Sequence, residues 1–123
     1  MQVDNTVTWF EVATDDPEGA ERFYGGLFGW RFGARFEGEQ LDYRRIGYSG
    51  SDDDVGGLFN TNGDLPSHAV FHVQVADVTR SCEQAESLGG KVVFSSVGEG
   101  PTDFAYIRDT SGSLFGIFHG KAV

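Results

Sequence analysis

The chain has 123 residues, a net charge of −10 and a single cysteine, Cys82. That length suits one domain. The acidic balance excludes a phosphate-binding face for nucleic acid, and one cysteine excludes an internal disulfide or a cysteine-based zinc cluster. No apolar run reaches the roughly 18 residues of a membrane span and no charged-then-apolar leader is present, so a soluble, cytoplasmic protein without a membrane partner is expected. Hydrophobic residues make up 39% and aromatics 14%, with 11 Phe, so a core is available. The 18 Gly predict many tight turns and strand bends.

Taken in chain order, Thr6 to Ala13 alternates as a half-buried strand, with Trp9, Glu11 and Ala13 on one face. Asp15-Asp16-Pro17-Glu18 is a helix start, because Asp caps, Pro fits the first turn and acids suit the positive end. Ala20, Phe23, Tyr24, Leu27 and Phe28 form one apolar helical stripe, and Gly29 ends the helix. Trp30 to Phe36 and Leu41 to Tyr48 read as strands, with Glu37-Gly38-Glu39 as the turn between them. Asp52-Asp53-Asp54 is an acidic loop without the spacing of a calcium loop, so it reads as a solvated turn. Val55 to Phe59 is a short strand, and Asn60 to Pro66 carries the breakers of a linker.

The second half repeats this order. Ala69 to Ala76 alternates as a strand, and Asp77 caps a helix bearing Val78, Cys82, Ala85 and Leu88 that Gly89-Gly90 ends. Lys91 to Val97, Phe104 to Arg108 and Ser113 to His119 are the remaining strands. An offset of 61 pairs Phe10 with Phe71, Val12 with Val73, Asp16 with Asp77, Leu27 with Leu88 and Gly29 with Gly90. An offset of 59 pairs Gly57-Leu58-Phe59 with Gly116-Ile117-Phe118. The expected fold class is therefore α+β, built from two βαβββ modules: about 6–59 and about 68–119, with a linker at about 60–67.

The stretches Asp16-Pro17 to Phe23-Tyr24, Leu27-Phe28-Gly29-Trp30, Val75-Ala76-Asp77, Leu88-Gly89-Gly90, and Arg108-Asp109 to Gly112 with Leu114-Phe115-Gly116 carry a family likeness. Through them the chain resembles the vicinal oxygen chelate superfamily, which holds glyoxalase I, extradiol dioxygenases and bleomycin-resistance proteins. The resemblance implies a mixed sheet curled into a cup with helices outside, and related proteins are often homodimers. It also implies metal ligands on the first and last strands of each module. Those positions fall here on Trp9, Gly57, Val70 and Gly116, none of which offers a ligating side chain. No cofactor is therefore expected.

Glu11 and His72 share the offset of 61 and the face of Trp9 and Val70. They are the candidate catalytic residues, as a general acid and base, or as part of a shifted divalent-metal site. The structural alternative is a buried carboxylate–imidazole pair. Together with Trp9, Tyr43, Phe59, Val70, Tyr106, Leu114, Gly116 and Phe118, Glu11 and His72 are also the expected ligand-binding residues, ten in all. Such a lining suits a small hydrophobic, aromatic or cationic molecule, and Trp favours a cation over its face. Two functions follow. One is metal-independent binding and sequestration of a small molecule, as in the bleomycin-resistance relatives. The other is a lyase, isomerase or dioxygenase-type enzyme working at Glu11 and His72. Cys82, on a helical stripe, reads as packing.

Overall fold

Two helices begin on aspartates, as the capping pattern requires. Asp16 accepts from the Gly19 amide at 3.1 Å and Asp77 from the Arg80 amide at 3.0 Å. The computed structural model describes residues 4–34, 42–64 and 66–120. In chain order they form β1 (Thr6–Thr14), α1 (Pro17–Phe28), β2 (Arg31–Phe32), β3 (Tyr43–Gly47) and β4 (Asp54–Asn60). Then come β5 (His68–Gln74), α2 (Val78–Ser87), β6 (Lys91–Ser96), β7 (Thr102–Arg108) and β8 (Leu114–Gly120). This is a mixed α+β fold of two βαβββ runs. By contacts it divides into a first unit, Phe10–Ala69, and a second unit of residues before Phe10 together with those after Ala69.

In the first unit the strand order is β2-β3-β4-β1. β1 runs parallel to β4, with Glu11 beside Gly57 and Val12 beside Leu58. β3 runs antiparallel to β4, with Tyr43 beside Phe59 and Arg44 beside Leu58. The pleat then sorts the residues. Val12, Ile46 and Leu58 form one buried cluster, covered by Phe10, Ala20, Tyr24, Trp30 and Phe32. Trp30 stacks on Tyr24 with centroids 5.4 Å apart and meets Phe10 at 5.5 Å. Gly29 makes this return possible: its φ of 71° is left-handed and its amide bonds to the Gly25 carbonyl.

The second unit repeats the plan with strand order β5-β8-β7-β6. β8 is parallel to β5 and antiparallel to β7. Val75, Val78, Ala105, Ile107 and Ile117 form its buried cluster, with Cys82 and Ala85 of α2 packed on it. Burial pushes the Cys82 thiol up, and Glu86 and Glu83 add to the shift.

Several expectations change. Of the strand expected over Trp30 to Phe36, the described residues 30–34 form strand only at Arg31–Phe32. Its end and the Glu37-Gly38-Glu39 turn lie outside the described residues. The apolar stripe of α1 is wider than the surface it covers: Phe23, Leu27 and Phe28 are more than half exposed. Ala20 and Tyr24 make the packing instead, because Trp30 covers the neighbouring sheet. Leu88, at 77% exposure, also lies outside its helix's packing face. The acidic loop is more than a solvated turn. Arg31 binds the Ser51 and Asp53 carbonyls and the Asp54 carboxylate, tying β2 to the start of β4.

One charged cluster pins α1 to its sheet. The Arg44 side chain, 11% exposed, reaches Glu18, Glu21 and Asp42. Burial draws its guanidinium down, but the carboxylates more than offset this and hold it above its ordinary value. Glu18 is held below its ordinary value of 4.5 by its backbone hydrogen bond and then by Arg44. Removing the cation leaves Asp42, itself 12% exposed, without that partner. Arg44→Met is therefore expected to cost about 2 kcal/mol in urea unfolding at pH 7. A depressed carboxylate stabilises above its unfolded pKa and loses that contribution as pH falls through its folded one. The gap between wild type and Arg44→Met should thus narrow as pH falls below about 4.5. An unchanged gap at pH 3 would remove Glu18 from the account.

Candidate functional site

The face of each sheet opposite its helix carries the residues that sequence periodicity singled out. In the first unit these are Glu11, Tyr43, Gly57 and Phe59, in register across β1, β4 and β3. Glu11 is buried, and the Tyr43 hydroxyl donates to its Oε2 at 2.8 Å. Tyr43 also stacks on Phe59, with rings 8° from parallel. A phenol thus holds one carboxylate oxygen inside an aromatic wall.

In the second unit β5, β8 and β7 place His72, Gly116 and Tyr106 side by side. His72 is buried and meets the Tyr106 ring edge-on at 5.5 Å and the Phe118 ring at 6.5 Å. Val70 lies two residues before His72 on the same face, and Leu114 lies two before Gly116. Trp9 is buried in this unit. The expected residues therefore gather as Trp9, Val70, His72, Tyr106, Leu114, Gly116 and Phe118 in the second unit, and as Glu11, Tyr43 and Phe59 in the first.

The two glycines are occupied spaces. A Cβ at Gly57 would land on the Tyr43 hydroxyl, and a Cβ at Gly116 would land on the His72 ring. Each glycine is the room that a neighbouring strand's functional side chain needs. Among the described residues, no group of three or more His, Cys, Asp or Glu side chains is placed to hold a metal ion. His119 is peripheral: its Nδ1 meets the Val75 carbonyl at 2.9 Å and the side chain is exposed. His68 stands at the start of β5, with its Nδ1 on the Pro66 carbonyl and its ring edge-on to Phe59.

Sequence reasoning missed two features. Phe94 and Phe104 extend the aromatic row of the second unit: Phe94 meets Phe104 at 5.9 Å, and Phe104 meets Tyr106 at 6.0 Å. Only Phe104 could have been found from strand alternation, two residues before Tyr106. The other feature is an open recess of ≈ 410 Å³ in the first unit, lined by Thr14, Asp16, Phe23, Tyr24, Ser67 and His68 among others. None of the ten expected ligand-binding residues lines it.

Comparison with known proteins fits this architecture. Residues 6–117 match the model of the Glyoxalase/Bleomycin resistance protein/Dioxygenase superfamily. A "Glyoxylase-like domain-containing protein" of Didymella fabae is 26% identical over 122 residues, covering 95% of each chain. Methylmalonyl-CoA epimerase from Mycobacterium tuberculosis superposes with a TM-score of 0.65 at 13% identity, over 99% of this chain and 93% of that one. A variant of the Streptomyces coelicolor methylmalonyl-CoA epimerase, in complex with 2-nitronate-propionyl-CoA, gives 0.67 at 13% identity, over 98% and 100%. A hypothetical protein from Bacillus halodurans gives 0.66 at 10%, over 96% of each chain. At such identities the structural likeness speaks for the fold alone. The family match spans both βαβββ runs, and the chain belongs to the Glyoxalase/Bleomycin resistance protein/Dioxygenase superfamily.

Proposed function

We propose that this chain is a metal-independent binding protein of its superfamily, holding a small hydrophobic, aromatic or cationic molecule against the helix-free faces of its sheets. The observation that carries the reading is the filling of Gly57 and Gly116. The resemblance assigns metal ligands to these places and to Trp9 and Val70. Two are apolar side chains, and at the other two any side chain beyond hydrogen meets Tyr43 or His72. A catalytic zinc normally has three protein ligands, and these four positions do not fit one. In each unit the helix-free face carries aromatic rings beside a buried polar group, Tyr43 and Phe59 with Glu11 in the first and Tyr106 and Phe118 with His72 in the second, the kind of lining that small ligands favour. Sequestration needs nothing more than this. The net charge of −10 also attracts a cation at long range. Function as a homodimer in the cytoplasm belongs to the same proposal.

A second reading rests on the Tyr43–Glu11 hydrogen bond. A buried carboxylate held by a phenol can exchange a proton with a carbon acid beside a carbonyl. The structural neighbours include methylmalonyl-CoA epimerase in complex with methylmalonyl-CoA. On this reading the chain is an isomerase acting through Glu11, with Tyr43 positioning it.

Three measurements separate and test these readings. Elemental analysis of purified protein, with titration by Ni, Fe, Mn and Zn, should show no stoichiometric tight binding. A tightly held metal that supports turnover would sink the metal-independent reading. Incubation with methylmalonyl-CoA in D₂O, followed by NMR, should leave the α-proton in place. Deuterium uptake that Glu11→Gln abolishes would establish the isomerase instead. Finally, Gly116→Ala and Gly57→Ala should each lower stability by about 1–3 kcal/mol in urea unfolding, through overpacking. Adding His72→Ala to Gly116→Ala should recover part of that loss. Wild-type stability in both single variants would show that the two spaces are not filled as described.

A further inference from the structure

We propose that the edge strand β6 supplies the outer wall of the ligand site. Phe94 there stacks on a planar aromatic ligand whose hydrogen-bonding group points toward Tyr106 and His72. This rests on the small-molecule reading above and names the ligand class for it.

The register of β6 against β7 is the starting point. Val92 stands opposite Ile107, and Ser95 stands opposite Ala105. Ile107 and Ala105 belong to the core under α2, so Val92 and Ser95 sit on the helix-covered face. Between them β6 has two residues, Val93 and Phe94, where β7 has one, Tyr106. Val93 is therefore the extra residue of a β-bulge. Without it, Val93 would stand opposite Tyr106. With it, Phe94 takes that place and turns its ring onto the face of Phe104, Tyr106 and His72. Bulges re-aim side chains in this way and gather beside active sites.

The result is a row of rings graded in polarity. Phe94 meets Phe104 at 5.9 Å, Phe104 meets Tyr106 at 6.0 Å, and Tyr106 meets His72 at 5.5 Å. The outer two rings are hydrocarbon, whereas the inner two carry a hydroxyl and ring nitrogens. Burial runs the same way: Phe94 is 55% exposed and His72 is 4% exposed. Phe94 thus keeps most of its apolar surface in water, although it has a partner on one side. A flat ligand lying along the row would cover it and bring a polar edge to the inner end. Aromatic pairs prefer offset or edge-on geometry at 4.5–7 Å, the range already present in the row, so a planar ring fits where a saturated one gains less.

The test uses 2-naphthol, a flat two-ring probe with a hydroxyl at one edge, and its saturated counterpart decahydro-2-naphthol. Binding is followed by amide shifts in ¹H–¹⁵N NMR spectra. Wild type should bind 2-naphthol at least tenfold more tightly than the saturated alcohol, with shifts at residues 92–96 and 104–106. Phe94→Ala should weaken 2-naphthol tenfold or more, and deletion of Val93 should do the same. Phe71→Ala is the control, because Phe71 is 49% exposed but stacks on Phe115 on the other face of the same unit. It should bind as wild type does. The NMR spectra also report whether each variant is folded, and Phe94→Leu, which keeps bulk without an aromatic ring, gives a second reading on the same site. Equal affinity in wild type, Phe94→Ala and Phe94→Leu would overturn the role of Phe94 while leaving small-molecule binding intact. Absence of 2-naphthol binding to wild type would overturn the aromatic ligand class. A broad ligand screen without any thermal shift would bring down the small-molecule reading itself.

Discussion

The strands that carry the core and the candidate site have two faces to satisfy, and the pleat allows each residue only one of them. The helices, fixed by Asp16 and Asp77, claim the Val12-Ile46-Leu58 face in one unit and the Val75-Ala105-Ile107-Ile117 face in the other. What remains is the opposite face, and there the chain places Glu11, Tyr43, His72 and Tyr106. A one-residue slip in β1 or β5 would exchange the two sets, putting the Glu11 carboxylate or the His72 imidazole beneath a helix. Register is therefore the constraint on which both stability and the candidate site depend.

That constraint explains the glycines. On the site face the long side chains come from β3 and β5, and each lies over a neighbouring strand. Tyr43 covers Gly57 and His72 covers Gly116. The two halves thus reach one arrangement with different chemistry: a phenol on a carboxylate in one, an imidazole among aromatic rings in the other. The two runs share their strand pattern and these two gaps, but fill them from different places: the third strand of the first run and the first strand of the second.

The local part of this was legible in the sequence. Aspartate followed by a helical stripe and closed by glycine gave both helices, because capping is decided within a few residues. Alternation assigned Glu11 and His72 to the faces they occupy. What depended on partners distant in sequence was not legible. Gly57 and Gly116 read only as positions without a ligating side chain, because the side chains that fill their space lie 14 and 44 residues away, at Tyr43 and His72. Phe23 and Leu27 read as core because a stripe does not reveal how much sheet it will meet; Trp30 takes that sheet instead. The bulge at Val93 has no sequence mark at all, and without it alternation assigns Phe94 to the helix-covered face.

The energetics of the site face bear on its purpose. A buried carboxylate costs several kcal/mol to desolvate before its hydrogen bonds are counted, and apolar residues of similar volume often replace such groups without loss. Phe94 presents the converse, since its 55% exposure leaves unused a good part of the roughly 1.5–3 kcal/mol that burying a large apolar side chain yields. Within the second unit alone, the His72 ring is buried at 4% exposure while the hydrocarbon ring of Phe94 stays exposed. On the function proposed above, a molecule with a polar edge and a flat apolar body would be oriented by the first and would give the second the burial that folding left undone.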